Sequence, residues 1–213
     1  MELTALSLRL HALSALRGLQ QHPLVRACTQ TMDYLDGANA ECFADAYGAL
    51  CAAHYAYQDA SQALLDAVHY DVNTLTDTLA APASALLDAA TLDIEALNAL
   101  LAIDGTALKT AAAGRYNAPA LLTLPDFPAS APLPFRDGAA LASYYRAQGY
   151  GFFAQSSAFA VQDDGTVAPI VHPDTIRLHD LPGYERQKQQ ILKNTRAFPD
   201  GREANNILLY GDK

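Results

Sequence analysis

The sequence predicts a mainly α protein with a small β-hairpin unit, an α+β arrangement, and three observations carry that prediction. Leucines recur at three- and four-residue steps near the start, and about a fifth of the residues are alanine, a strong helix former. An Asp-Gly pair separates two short strand-like runs near residue 164. The last stretch changes from a helical period to a short, continuous apolar run ending at a glycine.

The elements follow in chain order. Leu3, Leu6, Leu10 and Leu13 form one stripe of a first helix, expected to end near Gly18. Pro23 suits the first turn of a second helix running to about Leu35, where Asp36-Gly37 breaks it. A long third helix is expected from about Ala40 to Tyr70, with a break near Asp59. Its buried side should carry Phe43, Tyr47, Leu50, His54, Tyr57, Leu64 and Val68. Residues 71–91 and 93–113 resemble one another, Asp71, Leu75, Leu79, Ala85 and Leu86 matching Asp93, Leu97, Leu101, Ala107 and Leu108. One such pair falls short of a solenoid, so a succession of short helices is the better reading.

Residues 1–116 therefore read as a helical N-terminal domain, and residues 117–136 as a proline-rich connector. Pro119, Pro125, Pro128, Pro132 and Pro134 should keep that connector extended and on the surface. Residues 137–173 form a helix plus β-hairpin: a helix from Asp137 to about Gln148, then Gly151–Gln162, a turn at residues 163–166, and Val167–Val171. Pro169 places the second strand at an edge. A further helix is expected from about Pro182 to Phe198, with Tyr184, Ile191, Leu192, Thr195 and Phe198 on one face, stopped by Pro199 and Gly201. Asn206–Tyr210 reads as a strand.

Composition narrows the function classes. The net charge is −9, and no Lys or Arg lies between Arg26 and Lys109 while Asp and Glu recur throughout. Such a surface repels phosphate backbones, so nucleic-acid binding by residues 27–108 is disfavoured. A docking face for a basic partner is one reading of that acidity; an acidic surface that resists aggregation is the better supported one. The N-terminal residues Met1–Leu16 carry Arg9 and His11 within the apolar pattern and no small-residue cleavage site, unlike a signal peptide. No uncharged apolar run is long enough to span a bilayer. Cys28, Cys42 and Cys51 lack zinc-type spacing and suit reduced thiols, so the expected location is cytoplasmic, with no membrane association.

Several residue clusters favour packing over chemistry. Asp66 and His69, with Glu41 and Asp45 upstream, make one imperfect pair where a carboxylate-bridged metal bundle needs two Glu-x-x-His pairs and two more glutamates. Cys51 and His54 lack a second pair of ligands. Ser156 and Ser157 lack the G-x-S-x-G elbow of a nucleophilic serine. Tyr47, Tyr55, Tyr57 and Tyr70 read as core and rim aromatics, not as a base-stacking platform.

The segment Ile176-Arg177-Leu178-His179-Asp180-Leu181-Pro182-Gly183-Tyr184-Glu185-Arg186-Gln187-Lys188, then Asn194-Thr195, then Asn205-Asn206-Ile207-Leu208-Leu209-Tyr210-Gly211-Asp212, resembles a bacterial family of uncharacterised AAA+-type P-loop ATPases. That family is catalogued as a domain of unknown function. Asn194, Thr195 and Phe198 fit its central turn, and Pro182 stands where a branched aliphatic is usual. The close similarity covers roughly the last 40 residues.

The resemblance implies that residues 174–213 begin an AAA+-type nucleotide-binding domain, the first helix and strand of an α/β P-loop fold. Leu181, Pro182, Gly183 and Tyr184 would flank the adenine, and Gly211, Asp212 and Lys213 would open the phosphate loop. A P-loop turns sharply so that backbone N–H groups face the phosphates, which explains a glycine there. Lys213 sits at a variable position of G-x-x-x-x-G-K-[ST], of which only the first three positions occur here. ATP and Mg2+ are thus expected for an intact parent ATPase and neither for this fragment, which would have no catalysis of its own. The helical region would bind a protein partner or regulate the ATPase, and an unpaired terminal strand would be disordered, or would join the hairpin or a second copy as a homo-oligomer. The alternative is a free-standing helical interaction module without nucleotide chemistry.

Overall fold

The computed structural model describes residues 3–37, 39–170 and 172–210, the side chains of residues 3 and 4 excepted. The chain divides into two compact units, residues 1–169 and residues 170–213.

In the first unit, α1 (Leu3–His11) buries Leu6 and Leu10 and ends earlier than the expected Gly18. Its last carbonyls are taken by side chains from the short 3-10 helix Arg17–Gln21. Arg17 donates to the carbonyls of His11 and Leu13, and Gln20 to those of Leu10 and His11. Satisfied in this way, the carbonyls need no further helical turn.

Helix α2 (Pro23–Gly37) starts on its proline and buries Leu24, Val25, Cys28, Met32 and Leu35. Helix α3 (Ala40–Ala56) is capped by Asn39, whose side chain accepts from Cys42 N at 2.9 Å. The expected break follows: Tyr57 is extended, and Asp59 caps α4 (Ala60–Tyr70) by accepting from Ser61 N and Gln62 N. Phe43, Tyr47, Leu50, His54, Leu64 and Val68 are buried as expected, while Tyr57 is half-buried. Each fully buried leucine contributes about 1.5–3 kcal/mol through removal of apolar surface from water.

A single turn, α5 (Thr74–Asp77), is held by a capping box between Asn73 and Thr76. Helix α6 (Ser84–Leu101) then runs through both halves of the internal similarity, so the 22-residue offset has no structural counterpart. Helix α7 (Gly105–Tyr116) is capped by Asp104 and ends at Asn117 in the left-handed region. Helices α1, α2, α3 and α6 pack on one another, and α7 packs on α2 and α3.

The proline-rich segment departs from a surface connector. Phe127, Leu133 and Phe135 are buried in the helical core. The backbone is tied down as well: Gly105 N donates to Phe127 O (2.9 Å), Ser130 N to Leu101 O (2.7 Å) and Leu133 N to Asn98 Oδ1 (2.7 Å). Proline removes some donors, and the residues between the prolines supply enough others to pack the strip against α6 and α7.

Helix α8 (Gly138–Gln148), capped by Asp137, crosses α6 so closely that a Cβ on Gly138 would lie 2.2 Å from Leu87 O. Only glycine permits that approach. The hairpin is shorter than expected, because residues 152–154 form a 3-10 turn. Its strands are β1 (Phe159–Val161) and β2 (Val167–Pro169), antiparallel, with Ala160 opposite Ala168. Gly165 at φ +84° closes the turn, its N–H reaching Gln162 O at 2.9 Å. Val171, at the end of the expected second strand, lies outside the described residues.

In the second unit the helix is α9 (Glu185–Ala197), three residues shorter at its start than expected, because Gly183 and Tyr184 are both left-handed. Its expected apolar face is not buried: Tyr184, Thr195 and Phe198 are exposed, and Ala197 alone among the described residues of the helix is buried. Residues 206–210 form no strand ladder. A strand exists by pairing, and the one sheet among the described residues consists of β1 and β2. No helix among the described residues is long and apolar enough to cross a membrane.

Candidate functional site

Within the second unit, polar side chains build the approach to α9. Asp174 accepts from Ile176 N at 2.9 Å, and Asp180 accepts from Arg177 N at 2.8 Å, closing two local turns. The next four residues are Leu181, Pro182, Gly183 and Tyr184. Gly183 has φ +77° and Tyr184 φ +58°, two consecutive left-handed residues, the second of them not glycine. A non-glycine there costs about 1 kcal/mol or more and persists only where the surroundings impose it.

Lys188 supplies much of that imposition. Its ammonium donates to Leu181 O and lies 3.0 Å from Glu185 Oε1, so the first turn of α9 holds the carbonyl end of the 181–184 segment. Glu185 is also favourably placed for the positive end of the helix dipole. The outcome is a presented pair: Leu181 is exposed, and Tyr184 has 72 % of its surface in solvent. The adjacency of these residues was legible in the sequence, but the role of Lys188 was not, because it depends on a carbonyl seven residues earlier.

The far end of α9 is closed by Gly201 at φ +66°, with Gly201 N donating to Phe198 O and Arg202 N to Ala197 O. The chain then returns along the helix. Asn194 donates through Nδ2 to Asn205 O at 2.6 Å and accepts from Asn205 N at 2.8 Å. Beyond that clamp Leu208, Leu209 and Tyr210 stand in solvent, Tyr210 at 94 %. A groove of about 710 Å³ lies between Gln187, Gln190, Ile191 and Asn194 on α9 and residues 206–210. Leu181–Tyr184 do not line it. Gly211, Asp212 and Lys213 lie outside the described residues.

An exposed leucine and an exposed tyrosine on a fixed turn suit the faces of a flat heterocycle. Among the described residues no three His, Cys, Asp or Glu side chains converge to hold a metal, and no magnesium ligand is assigned among them.

The other clusters serve packing. Asp66 accepts from Gln62, and His69 stacks on Tyr70 and meets Tyr144 edge-on. Burial pushes the Cys51 thiol up and the His54 imidazole down from their ordinary ranges, and His54 stacks on Phe127 at 4.1 Å. Ser156 accepts from Ala158 N. Tyr47 donates to Pro125 O and Tyr55 to Asp126 O, both holding the proline-rich segment.

A family model described as a protein of unknown function (DUF815) matches residues 154–213. No curated protein and no solved structure matches the chain.

Proposed function

We propose that residues 174–213 are the opening of an ATP-binding domain of the AAA+ P-loop type, and that the helical unit before it binds a protein partner or regulates that domain. The match to the family of unknown function supports the reading by covering the hairpin, α9 and the apolar run together. The observation that carries it is the order fixed by the Asn194–Asn205 clamp: a turn exposing Leu181 and Tyr184, a helix, then an apolar segment held back along that helix. In this reading Ile207–Tyr210 are apolar because parallel neighbours would cover them on both faces. Leu181, Pro182, Gly183 and Tyr184 would meet the adenine, and Gly211, Asp212 and Lys213 would begin the phosphate loop. ATP and Mg2+ would act in the complete site, magnesium neutralising phosphate charge there. The lysine and Ser/Thr of the motif do not occur among residues 211–213.

The test is the coding sequence after residue 213 together with calorimetry. The reading requires a Gly-x-Gly-Lys-Ser/Thr continuation, and negligible magnesium-dependent ATP binding by the present chain. A stop or an unrelated continuation overturns it in favour of the helical interaction module. Micromolar magnesium-dependent binding by the chain would show the site to lie elsewhere.

A further inference from the structure

The two-stranded hairpin has two outer edges with unequal chemistry. In an antiparallel pair the residues alternate between exchanging hydrogen bonds with their partners and pointing those groups away. Gln162 N bonds Thr166 O at 2.7 Å, which makes that pair a bonded one. By the register, Val161–Val167 is then an outward pair, Ala160–Ala168 a bonded pair and Phe159–Pro169 an outward pair.

On the β2 side the outward positions are Val167 and Pro169. Proline has no N–H, so that edge lacks a donor and resists extension. On the β1 side Phe159 and Val161 direct both N–H and C=O outward. Among the described residues no other segment bonds to these outward groups.

The side chains beside this open edge are apolar. Phe159 and Val161 share one face of β1. Phe159 meets Phe152 and Phe153 with ring centroids 5.3 and 5.2 Å apart, and Phe153 and Val161 are mainly exposed, Val161 at 74 %. At the turn end stand Asp163 and Asp164, both exposed, and no Lys or Arg occurs between Arg146 and Arg177.

We propose that the outer edge of β1 is a docking site for an extended peptide segment of a partner protein, which adds as a third strand. The chemistry specifies that segment. Its backbone pairs with Phe159 and Val161, its alternate apolar side chains extend the Phe152–Phe153–Phe159 cluster, and a basic residue at the end beside the turn meets Asp163 and Asp164. This is strand addition, in which main-chain bonds give affinity and alternate side chains give specificity. It does not depend on the nucleotide reading.

The probe is an acetylated and amidated peptide of alternating valine and threonine with one terminal lysine, titrated into the full chain by NMR with amide exchange at Phe159 and Val161. Slowed exchange at those two amides on peptide addition is expected. Val161→Pro removes an outward donor without touching a bond inside the hairpin, and should weaken binding by about ten-fold or more. N-methylation of the peptide's pairing amides should do the same, and replacing its lysine by glutamate should weaken it further. Absence of binding at millimolar peptide overturns the proposal. So does binding indifferent to N-methylation and to Val161→Pro, which would mean an apolar patch only. Protection at both amides that rises with chain concentration, without peptide, would assign the edge to a second copy and equally overturn it.

Discussion

The Lys109 ammonium lies 3.1 Å from Asp126 Oδ2, the lysine side chain only 8 % exposed and the aspartate half exposed. The lysine also donates to Leu124 O at 2.9 Å, and Thr106 donates to the same carboxylate oxygen at 2.8 Å. One helix, α7, thus holds the proline-rich segment through a charged side chain drawn into the core.

The two partners should respond unequally to removal. Lys109→Met keeps the apolar stem in its slot and leaves Asp126 with Thr106 and water. Asp126→Ala instead leaves a buried ammonium with one carbonyl for company, the costlier outcome. Thermal unfolding followed by circular dichroism should show a larger fall in Tm for Asp126→Ala than for Lys109→Met. The Thr106 hydroxyl first, and then Lys109, hold the Asp126 carboxyl below its ordinary value. A carboxylate depressed in the fold stabilises above its unfolded pKa, and that contribution is lost as pH falls through the folded one. The difference between the wild-type chain and Asp126→Ala should therefore shrink on acidification below about pH 4. An equal or reversed order of Tm values would remove the latch from this account.

Asp93 works in the opposite sense. It is buried on α6, and one carboxylate oxygen accepts from Ser14 N at 3.0 Å and Leu16 N at 2.9 Å, fastening the turn after α1. Burial raises its pKa, with the backbone donors opposing that rise. An acid whose folded pKa is raised favours folding most when protonated, so its titration removes stability as pH rises through the interval above the unfolded value of about 3.9. Asp93→Asn retains an oxygen for both donors and cannot titrate. Its stability relative to wild type should improve as pH rises from 3 to 6 in urea denaturation. Asp93→Ala orphans both donors and should cost about 2 kcal/mol, with Leu16 the more deeply buried of the two. A pH-independent gap between wild type and Asp93→Asn would contradict the burial argument.

What could be read from the sequence was local. Asn39, Asp59, Asp104 and Asp137 cap helices with side chains that reach two or three residues along the chain, so the break at Asp59 and the start of α8 were visible in residue order alone. The turn at Gly165 was legible for the same reason. The end of α1 was not, because Arg17 and Gln20 reach back across a loop to its carbonyls. Nor was the burial of residues 127–135, whose prolines advertise exposure while Phe127, Leu133 and Phe135 reach the core. Candidate site residues 181–184 were found by pattern, yet their presentation depends on Lys188, and pattern assigned that residue no role. The run at 206–210 has the composition of a strand, but a ladder is a property of two segments and cannot be read from one.

The reciprocal pair between Asn194 and Asn205 makes the last prediction the most local. Both bonds involve one side-chain amide, so Asn194→Ala removes them together and leaves the α9 backbone intact. Asn194 is half-buried and Asn205 exposed, and a bond near solvent protects an amide by a modest free energy, on the order of 1 kcal/mol. The Asn205 amide should accordingly exchange several-fold faster in Asn194→Ala, while amides in the middle of α9, such as Gln190, keep their wild-type rates. Asn194→Asp retains the acceptor for Asn205 N but loses the donor to Asn205 O, and should fall between the two. Faster exchange throughout α9 in Asn194→Ala would mean that the asparagine supports the helix itself and not the return of residues 205–210 along it.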